Sequence, residues 1–377
     1  MTSKELPDDV AYEIVSRTCL KTVDSCKAVS KNWHNMIYET SFLPLYCART
    51  KNVSGYFLKD YKHNKHVTEF VSLDGKQEPE WAQSFVGKFL GPNGHIVASC
   101  RQGLLCCAKR LARNTRYYVC KPTTGQWRRL PTPPRPLPSD ACTSIMVVRS
   151  DSSPKLRYKI VHFAGIFVEK YRGENFSSSE CFLFDSDDWR WRRIENVRVA
   201  YGEFVGFWPA VTAAGSIYWL TTQDNVLEFR EADESFRKFS LPSLERDYKE
   251  YEAKQLVEYR GGLGFVCLRK NDDSLELWVK ELDSSSGARW RKEMEVDIGR
   301  VEMYEFKFEF CNAGILFMKA FLEAVFYNVE DLSMSRVRLK RASNPISIIQ
   351  FRADFEPVEL GGRRRPTRKG AHALLDV

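Results

Sequence analysis

From about residue 100 onward the chain repeats one pattern, and that repeat limits its fold more than any other feature. A glycine leads a short apolar run, a second apolar or aromatic run follows, and a third run carries an aromatic or apolar residue beside arginine or lysine. The clearest copy is Gly103 with Leu104-Leu105-Cys106-Cys107, then Tyr117-Tyr118-Val119-Cys120, then a turn at Gly125 and Trp127-Arg128-Arg129-Leu130. Gly215 leads Ile217-Tyr218-Trp219-Leu220, Val226-Leu227-Glu228-Phe229 and Phe236-Arg237-Lys238-Phe239. Gly262 leads Gly264-Phe265-Val266-Cys267, Leu275-Glu276-Leu277-Trp278-Val279 and Arg289-Trp290-Arg291, and Gly314 leads Ile315-Leu316-Phe317-Met318, Val325-Phe326-Tyr327 and Ser335-Arg336-Val337. A looser copy joins Ile160-Val161-His162-Phe163 to Cys181-Phe182-Leu183-Phe184 and Trp189-Arg190-Trp191.

Runs of this length and composition, bounded by glycine and polar turns, are antiparallel strands, so each copy is a three-stranded meander introduced by its glycine. Gly215 and Gly262 stand 47 residues apart and Gly262 and Gly314 stand 52 apart, near the ~40 to 50 of radial β-repeats. A meander has two apolar faces that only neighbouring meanders can cover, so the units are expected to close into a β-propeller. Gly55 to Leu90, with Tyr56-Phe57-Leu58 and Phe70-Val71-Ser72-Leu73, offers a degenerate first unit. That makes about six blades, with seven as the alternative. Ile346 to Leu360, containing Ile348-Ile349 and Phe351, is the candidate strand that returns to complete the first blade and remove its free edge.

Ahead of this region, Leu6 to Ile37 holds three short amphipathic helices. Pro7 suits a first turn, where no amide hydrogen is needed, and Asp8 and Asp9 lie at the positive helix end. Val10, Ile14 and Val15 form the apolar side, and Cys19-Leu20 closes the helix. Thr22 caps a second helix with Val23, Cys26 and Val29 three apart, and Ser30 caps a third with Trp33 and Ile37 at i, i+4. A segment below ~40 residues buries too little surface to fold unaided, so these helices need another apolar surface. Pro44 ends them.

The 377 residues carry 43% apolar and 13% aromatic side chains, the signature of a folded chain. The 11 cysteines form no C-x-x-C pair and read as reduced thiols; with no basic start and apolar run at the N-terminus, cytoplasm and/or nucleus is the expected compartment. Phe204 to Gln223 is uncharged, yet Gly206, Pro209 and Ala213-Ala214-Gly215 break it as turns do, so a strand pair is expected there and no membrane partner. The net charge of +8 owes much to Arg363, Arg364, Arg365, Arg368 and Lys369 in a basic tail, 361–377, expected to be disordered and preferred as such over a nuclear-import signal. Elsewhere Lys and Arg are balanced by nearby acids, which makes a nucleic-acid partner unexpected.

Motifs for chemistry are weak. His63 and His66 stand in what reads as an exposed turn, Asp185, Asp187 and Asp188 read as a hairpin turn, and Gly261-Gly262-Leu263-Gly264 leads into a strand and not into a phosphate-holding helix. No metal, cofactor or catalytic residue is assigned. Trp127, Trp191 and Trp290 are expected to fill the gaps between blades, with their arginine neighbours at the rim. Thr132 to Pro138, rich in proline, is expected to link two blades.

Leu6-Pro7-Asp8-Asp9-Val10, Ile14-Val15-Ser16-Arg17, Leu20-Lys21-Thr22-Val23 and Ala28-Val29-Ser30-Lys31-Asn32-Trp33 through Ile37 resemble the F-box, with departures at Thr18-Cys19, where Leu-Pro is common, and at Ser30, where Cys is common. Cys100-Arg101-Gln102-Gly103-Leu104-Leu105-Cys106, and Tyr118 through Trp127 followed by Leu130-Pro131, resemble the F-box-associated domain of plant F-box proteins, a kelch-like β-propeller relative. The resemblance implies an F-box helical module over 4–45, an F-box-associated propeller over 52–360, and the substrate-recognition subunit of an SCF-type ubiquitin ligase. The module would bind a Skp-type adaptor and through it a cullin scaffold; the propeller would hold a target protein whose binding residues the sequence does not identify. Leu6, Pro7, Ile14, Val15, Leu20, Val23, Val29, Trp33 and Ile37 are the apolar set shared between module core and adaptor. The alternatives are a propeller scaffold or sequestering protein without ligase activity and, more distantly, a kelch-type oxidase, which the want of a metal constellation disfavours.

Overall fold

The computed structural model describes residues 7–37 and 55–360, apart from 19–21, 24–25, 27–28, 63–64, 73–78, 101, 112–113, 136–141, 151–152, 206–208, 243–250, 270–273, 282–287, 298–306, 313–314, 320–322, 329–332, 340–346, 352–357 and 359. Leu6, Leu20, Gly314 and the basic tail therefore lie outside the described residues.

Six antiparallel sheets are described. Blade 1 is built from Gly55–Lys62, Lys65–Ser72 and Ser347–Phe351; blade 2 from Gly94–Ser99, Leu105–Arg110, Thr115–Lys121 and Gln126–Arg129. Blade 3 comprises Thr143–Ser150, Ser153–Tyr171, Glu174–Asp185, Arg190–Arg193 and the extra strand Val197–Ala200. Blade 4 runs from Val211–Ala213 through Ser216–Leu220 and Asn225–Arg230 to Ser235–Ser240, blade 5 from Tyr251–Tyr259 through Gly262–Arg269 and Ser274–Lys280 to Trp290–Asp297, and blade 6 from Lys307–Asn312 through Ile315–Lys319 and Glu323–Asn328 to Met334–Arg338.

The ring is closed by burial as well as by pairing. Phe57 and Phe351 of blade 1 pack with Leu105 and Cys107 of blade 2. Leu104 and Val119 of blade 2 pack with Ile160 and Phe184 of blade 3, and Val161 and Leu183 of blade 3 with Trp219 and Phe229 of blade 4. Leu220 and Val226 meet Phe265 of blade 5, Leu277 meets Met318 of blade 6, and Phe317 and Phe326 return to Tyr56 and Leu58 of blade 1. Six interfaces thus join six blades, and each fully buried large side chain contributes about 1.5–3 kcal/mol. The circle has no gap for a seventh blade, which removes that alternative. The returning strand is Ser347–Phe351, antiparallel to Gly55–Lys59.

The repeat differs from expectation in one respect. Blades 2, 4, 5 and 6 have four strands, not three: a first strand precedes the leading glycine, which occupies the turn into the second. Gly103, Gly215 and Gly261 all hold positive φ there, and Gly262 opens the following strand. The first strands of blades 2 and 3, of blades 4 and 5, and of blades 5 and 6 adjoin one another, and Ser347–Phe351 of blade 1 adjoins those of blades 6 and 2, which sets these strands on the inner side of the ring. The uncharged stretch behaves as expected where it is described: Val211–Ala213 pairs with Ser216–Leu220 across Ala214-Gly215. No described helix is long and apolar enough to cross a membrane.

Candidate functional site

The helical module has two kinds of apolar residue. Pro7 is the N-cap of a helix over Asp8–Val15, and the amide of Ala11 donates to its carbonyl at 2.9 Å. The helix stops at Val15, earlier than the expected Cys19-Leu20: Ser16 and Thr18 turn their hydroxyls back onto the carbonyls of Glu13 and Val15, competing with further helical bonds. Thr22, Val23 and Cys26 are helical, and a last helix spans Lys31–Ile37. Ser30 caps it as expected, its hydroxyl accepting from the amide of Trp33 at 3.1 Å.

Ala11, Val15, Val23, Cys26, Met36 and Ile37 form the buried core of this segment, with Tyr12 and Trp33 half-buried against it. Pro7 is exposed, Val10 is 40% exposed, Ile14 49% and Val29 65%. The sequence set therefore divides. Val15, Val23 and Ile37 face inward, Trp33 lies between, and Pro7, Ile14 and Val29 face outward. Pro7, Val10 and Ile14 recur at i, i+3, i+7, one stripe along the helix. Val10 was not among the expected contact residues, although its spacing marks it.

A second site lies on the propeller between blades 1 and 2. There Glu80–Ser84 forms a helical turn that widens into a π-helix over Phe85–Leu90. Phe85 and Leu90 anchor it in the blade 1–blade 2 core. Phe89 and Trp127 then face each other at 5.9 Å, with Tyr118 edge-on to both. Phe89 and Trp127, together with Trp81, Lys88, Pro122, Thr123, Gly125 and Gln126, line a cavity of about 420 Å³. Trp127 is 42% exposed, against the expectation that it fills an interblade gap. Trp191 and Trp290 do pack into such gaps, their indole nitrogens donating to Pro131 and Ser240 carbonyls at 2.9 and 3.1 Å.

Other candidates resolve into structure. Asp185 Oδ1 accepts from the Asp187 amide within a hairpin turn, and Asp187 pairs with Arg157. His63 lies outside the described residues; His66, expected in an exposed turn, stacks at 4.1 Å on His95 of blade 2. Burial, and after it the Lys59 charge, lowers the His66 pKa to about 4 and that of His95 to about 3, so both rings are neutral near pH 7. Twenty-nine residues of sequence separate the two, which concealed the pair. No group of three metal-ligating side chains occurs among the described residues.

Blade 3 carries a feature the repeat did not announce: its central strands run on past a bulge at Gly165 into a hairpin turning at Arg172-Gly173. Ile166, Phe167, Val168 and Tyr171 are exposed along it, and Arg198 of the added strand pairs with Glu169.

Comparison with known proteins agrees with this division of the chain. The F-box domain model matches residues 4–44, and the F-box associated beta propeller domain model matches 57–350. One F-box protein of Arabidopsis thaliana is 26% identical over 319 residues, covering 78% of this chain and 74% of its own. A second from the same plant is 25% identical over 311 residues, covering 77% and 70%, and an F-box/kelch-repeat protein is 22% identical over 329 residues, covering 78% and 73%. With both domain models matched in order, and a six-bladed ring standing where the second one falls, this chain belongs to the plant F-box proteins that carry an F-box-associated β-propeller.

Proposed function

We propose that this protein is a substrate receptor of an SCF-type ubiquitin ligase, whose helical module binds a Skp-type adaptor, and through it a cullin scaffold, while the propeller holds the target. The observation that carries the reading is the open stripe of Pro7, Val10 and Ile14 on a helix whose other side is already occupied by the module's own core. Apolar side chains kept half in water at helical spacing are a docking face for a partner. The receptor makes and breaks no bond. It raises the effective concentration of target lysines near a ubiquitin-loaded conjugating enzyme, as any linked pair of binding sites does. Such work places it in the cytoplasm, the nucleus or both.

The test is co-purification of the full chain with a Skp-type adaptor. Burying the exposed halves of Val10 and Ile14 contributes about 1 kcal/mol each, so the Val10→Ala/Ile14→Ala pair is expected to weaken adaptor binding ~30-fold. The Leu6→Ala/Pro7→Ala pair is expected to weaken it as well. Adaptor retention by both pairs at wild-type affinity would overturn the proposal. Adaptor binding without ubiquitination of any captured target in a reconstituted complex would instead favour a scaffold.

A further inference from the structure

We propose that the cavity between blades 1 and 2 is the target-binding site, and that it takes an acidic, extended peptide segment which buries one large aromatic side chain against Phe89 and Trp127. The inference rests on the receptor reading above and goes further by naming the chemistry of the target. The cavity's size, about 420 Å³, falls in the range of ligand pockets and exceeds the small voids of a packed core. Its walls are aromatic: Trp81 and Phe85 behind, Phe89 and Trp127 in front, with Trp127 42% exposed where its counterparts in blades 3 and 5 are half-buried in interblade gaps. An exposed tryptophan at the mouth of an aromatic pocket is the kind of anchor site that dominates protein–protein affinity.

Charge decides between occupants. Aromatic walls alone would also suit a cationic side chain. Here, however, the Lys109 ammonium already lies 4.7 Å from the centre of the Phe89 ring. Lys88 is exposed on the cavity rim, and Arg129 shares the Trp127 face of its strand, opposite Tyr118. None of these three cations has a carboxylate partner among the described residues. Burial lowers the Lys109 pKa, consistent with a cation whose charge is poorly compensated. Glu80 is the one carboxylate in the lining. An arriving lysine or arginine meets three like charges, whereas aspartate and glutamate flanking an aromatic anchor meet three unanswered ones. The extended conformation follows from Gln126–Arg129, the outermost strand of blade 2, which among the described residues is paired on one side only and offers its other edge beside Trp127.

Fluorescence polarisation on the purified full chain tests this with labelled octapeptides: one alternating Asp and Glu around a central Trp, the same peptide with Ala for Trp, and a Lys/Arg version around Trp. The acidic Trp peptide is expected to bind saturably, at least tenfold more tightly than either other peptide, and to weaken as salt rises. Trp127→Ala is expected to cost at least tenfold, with circular dichroism and melting unchanged. Lys88→Glu/Arg129→Glu, which alters two exposed side chains, is expected to weaken the acidic peptide at least tenfold and to favour the basic one. Equal or tighter binding of the basic peptide, indifference to both protein variants, or no saturable binding of any peptide would each overturn the proposal. The adaptor assay separates the two readings: peptide failure with adaptor binding intact rejects this pocket alone, and the reverse rejects the ligase role alone.

Discussion

Phe351 sits at the point where the last strand of the chain meets the first blade, and Phe351→Ala tests whether that meeting holds the ring together. The side chain is 0% exposed, and its ring lies 5.3 Å from Phe57, 5.0 Å from Trp81 and 6.4 Å from Phe70. Truncating a buried phenylalanine costs about 3–5 kcal/mol, against a total stability of about 5–15 kcal/mol for a domain. At an unfolding entropy of about 2.1 cal/mol/K per residue over roughly 300 residues, the midpoint should fall by about 5–8 °C. A core cavity anywhere would do as much, so Phe229→Ala, equally buried between blades 3 and 4, is the control. The difference lies in where protection is lost. Among the described residues Ser347–Phe351 is paired only to Gly55–Lys59, about 290 residues away in sequence, whereas Phe229 lies in a strand paired on both sides. Amide exchange over 347–351 should therefore accelerate in Phe351→Ala and stay slow in Phe229→Ala. Equal protection of those amides in the two variants would refute the view that this strand is the clasp.

Acid should loosen the blade 1–blade 2 junction. His66 and His95 are held neutral by burial, with folded pKa values of about 4 and about 3 against an ordinary 6.5. The unfolded chain then binds more protons, so stability is full above pH 6.5 and declines as pH falls through that value toward 4 and 3; a urea midpoint that stays flat from pH 7 to 4.5, or a His95→Phe variant with an unchanged acid limb, would count against this. Glu276 is 1% exposed and answers Arg269, Lys292 at 3.1 Å and the Trp278 indole at 3.0 Å. Burial raises its pKa, but the bonds from Trp278 and Lys292 and the two cations outweigh that and hold it below the usual carboxylate value. Glu276→Gln should cost about 2–3 kcal/mol in equilibrium unfolding near neutrality, less than a fully buried pair because Lys292 is partly exposed. In the wild type this contribution is present above the ordinary glutamate range and is lost as pH drops through the lower folded value. Ser30→Ala removes the cap of the last module helix and should weaken adaptor binding by about 1 kcal/mol, a fivefold loss in a titration.

What could be read from the residues was whatever is buried on both sides. Ile217-Tyr218-Trp219-Leu220 is buried throughout, and such runs stand out in any sequence. Ile348-Ile349 and Phe351 marked the returning strand by loose alternation instead, with Ile349 and Phe351 buried and Ile348 and Gln350 half-buried. Elsewhere the first strand of a blade was not legible, because its residues are mixed in polarity: Tyr251–Tyr259 is half polar, so the leading glycine looked like a beginning when it is a turn. In the module, spacing identified the apolar positions but not their sides. Val10 and Ile14, at i and i+4, parallel Ala11 and Val15, also at i and i+4; only packing shows that the second pair is core and the first is not.

The misread tryptophan is where repeat logic and function part. In two blades the closing-strand tryptophan obeys one rule: Trp191 reaches back to the carbonyl of Pro131, just past the last strand of blade 2, and Trp290 to that of Ser240, at the end of the last strand of blade 4. Each indole thereby fills the gap before its own blade and satisfies its one donor. Trp127 meets a different neighbour, because Glu80–Leu90 is inserted between blades 1 and 2 and Phe85 and Leu90 already occupy the core there. The indole is left to close on Phe89 from outside, and the space between helix and blade stays open. One inserted helix thus turns a core residue into a pocket wall without any change in the strand that carries it. A repeat that breaks its own packing rule once, at a cavity lined by Lys88 with Lys109 and Arg129 close by, has given up burial where a partner can supply it.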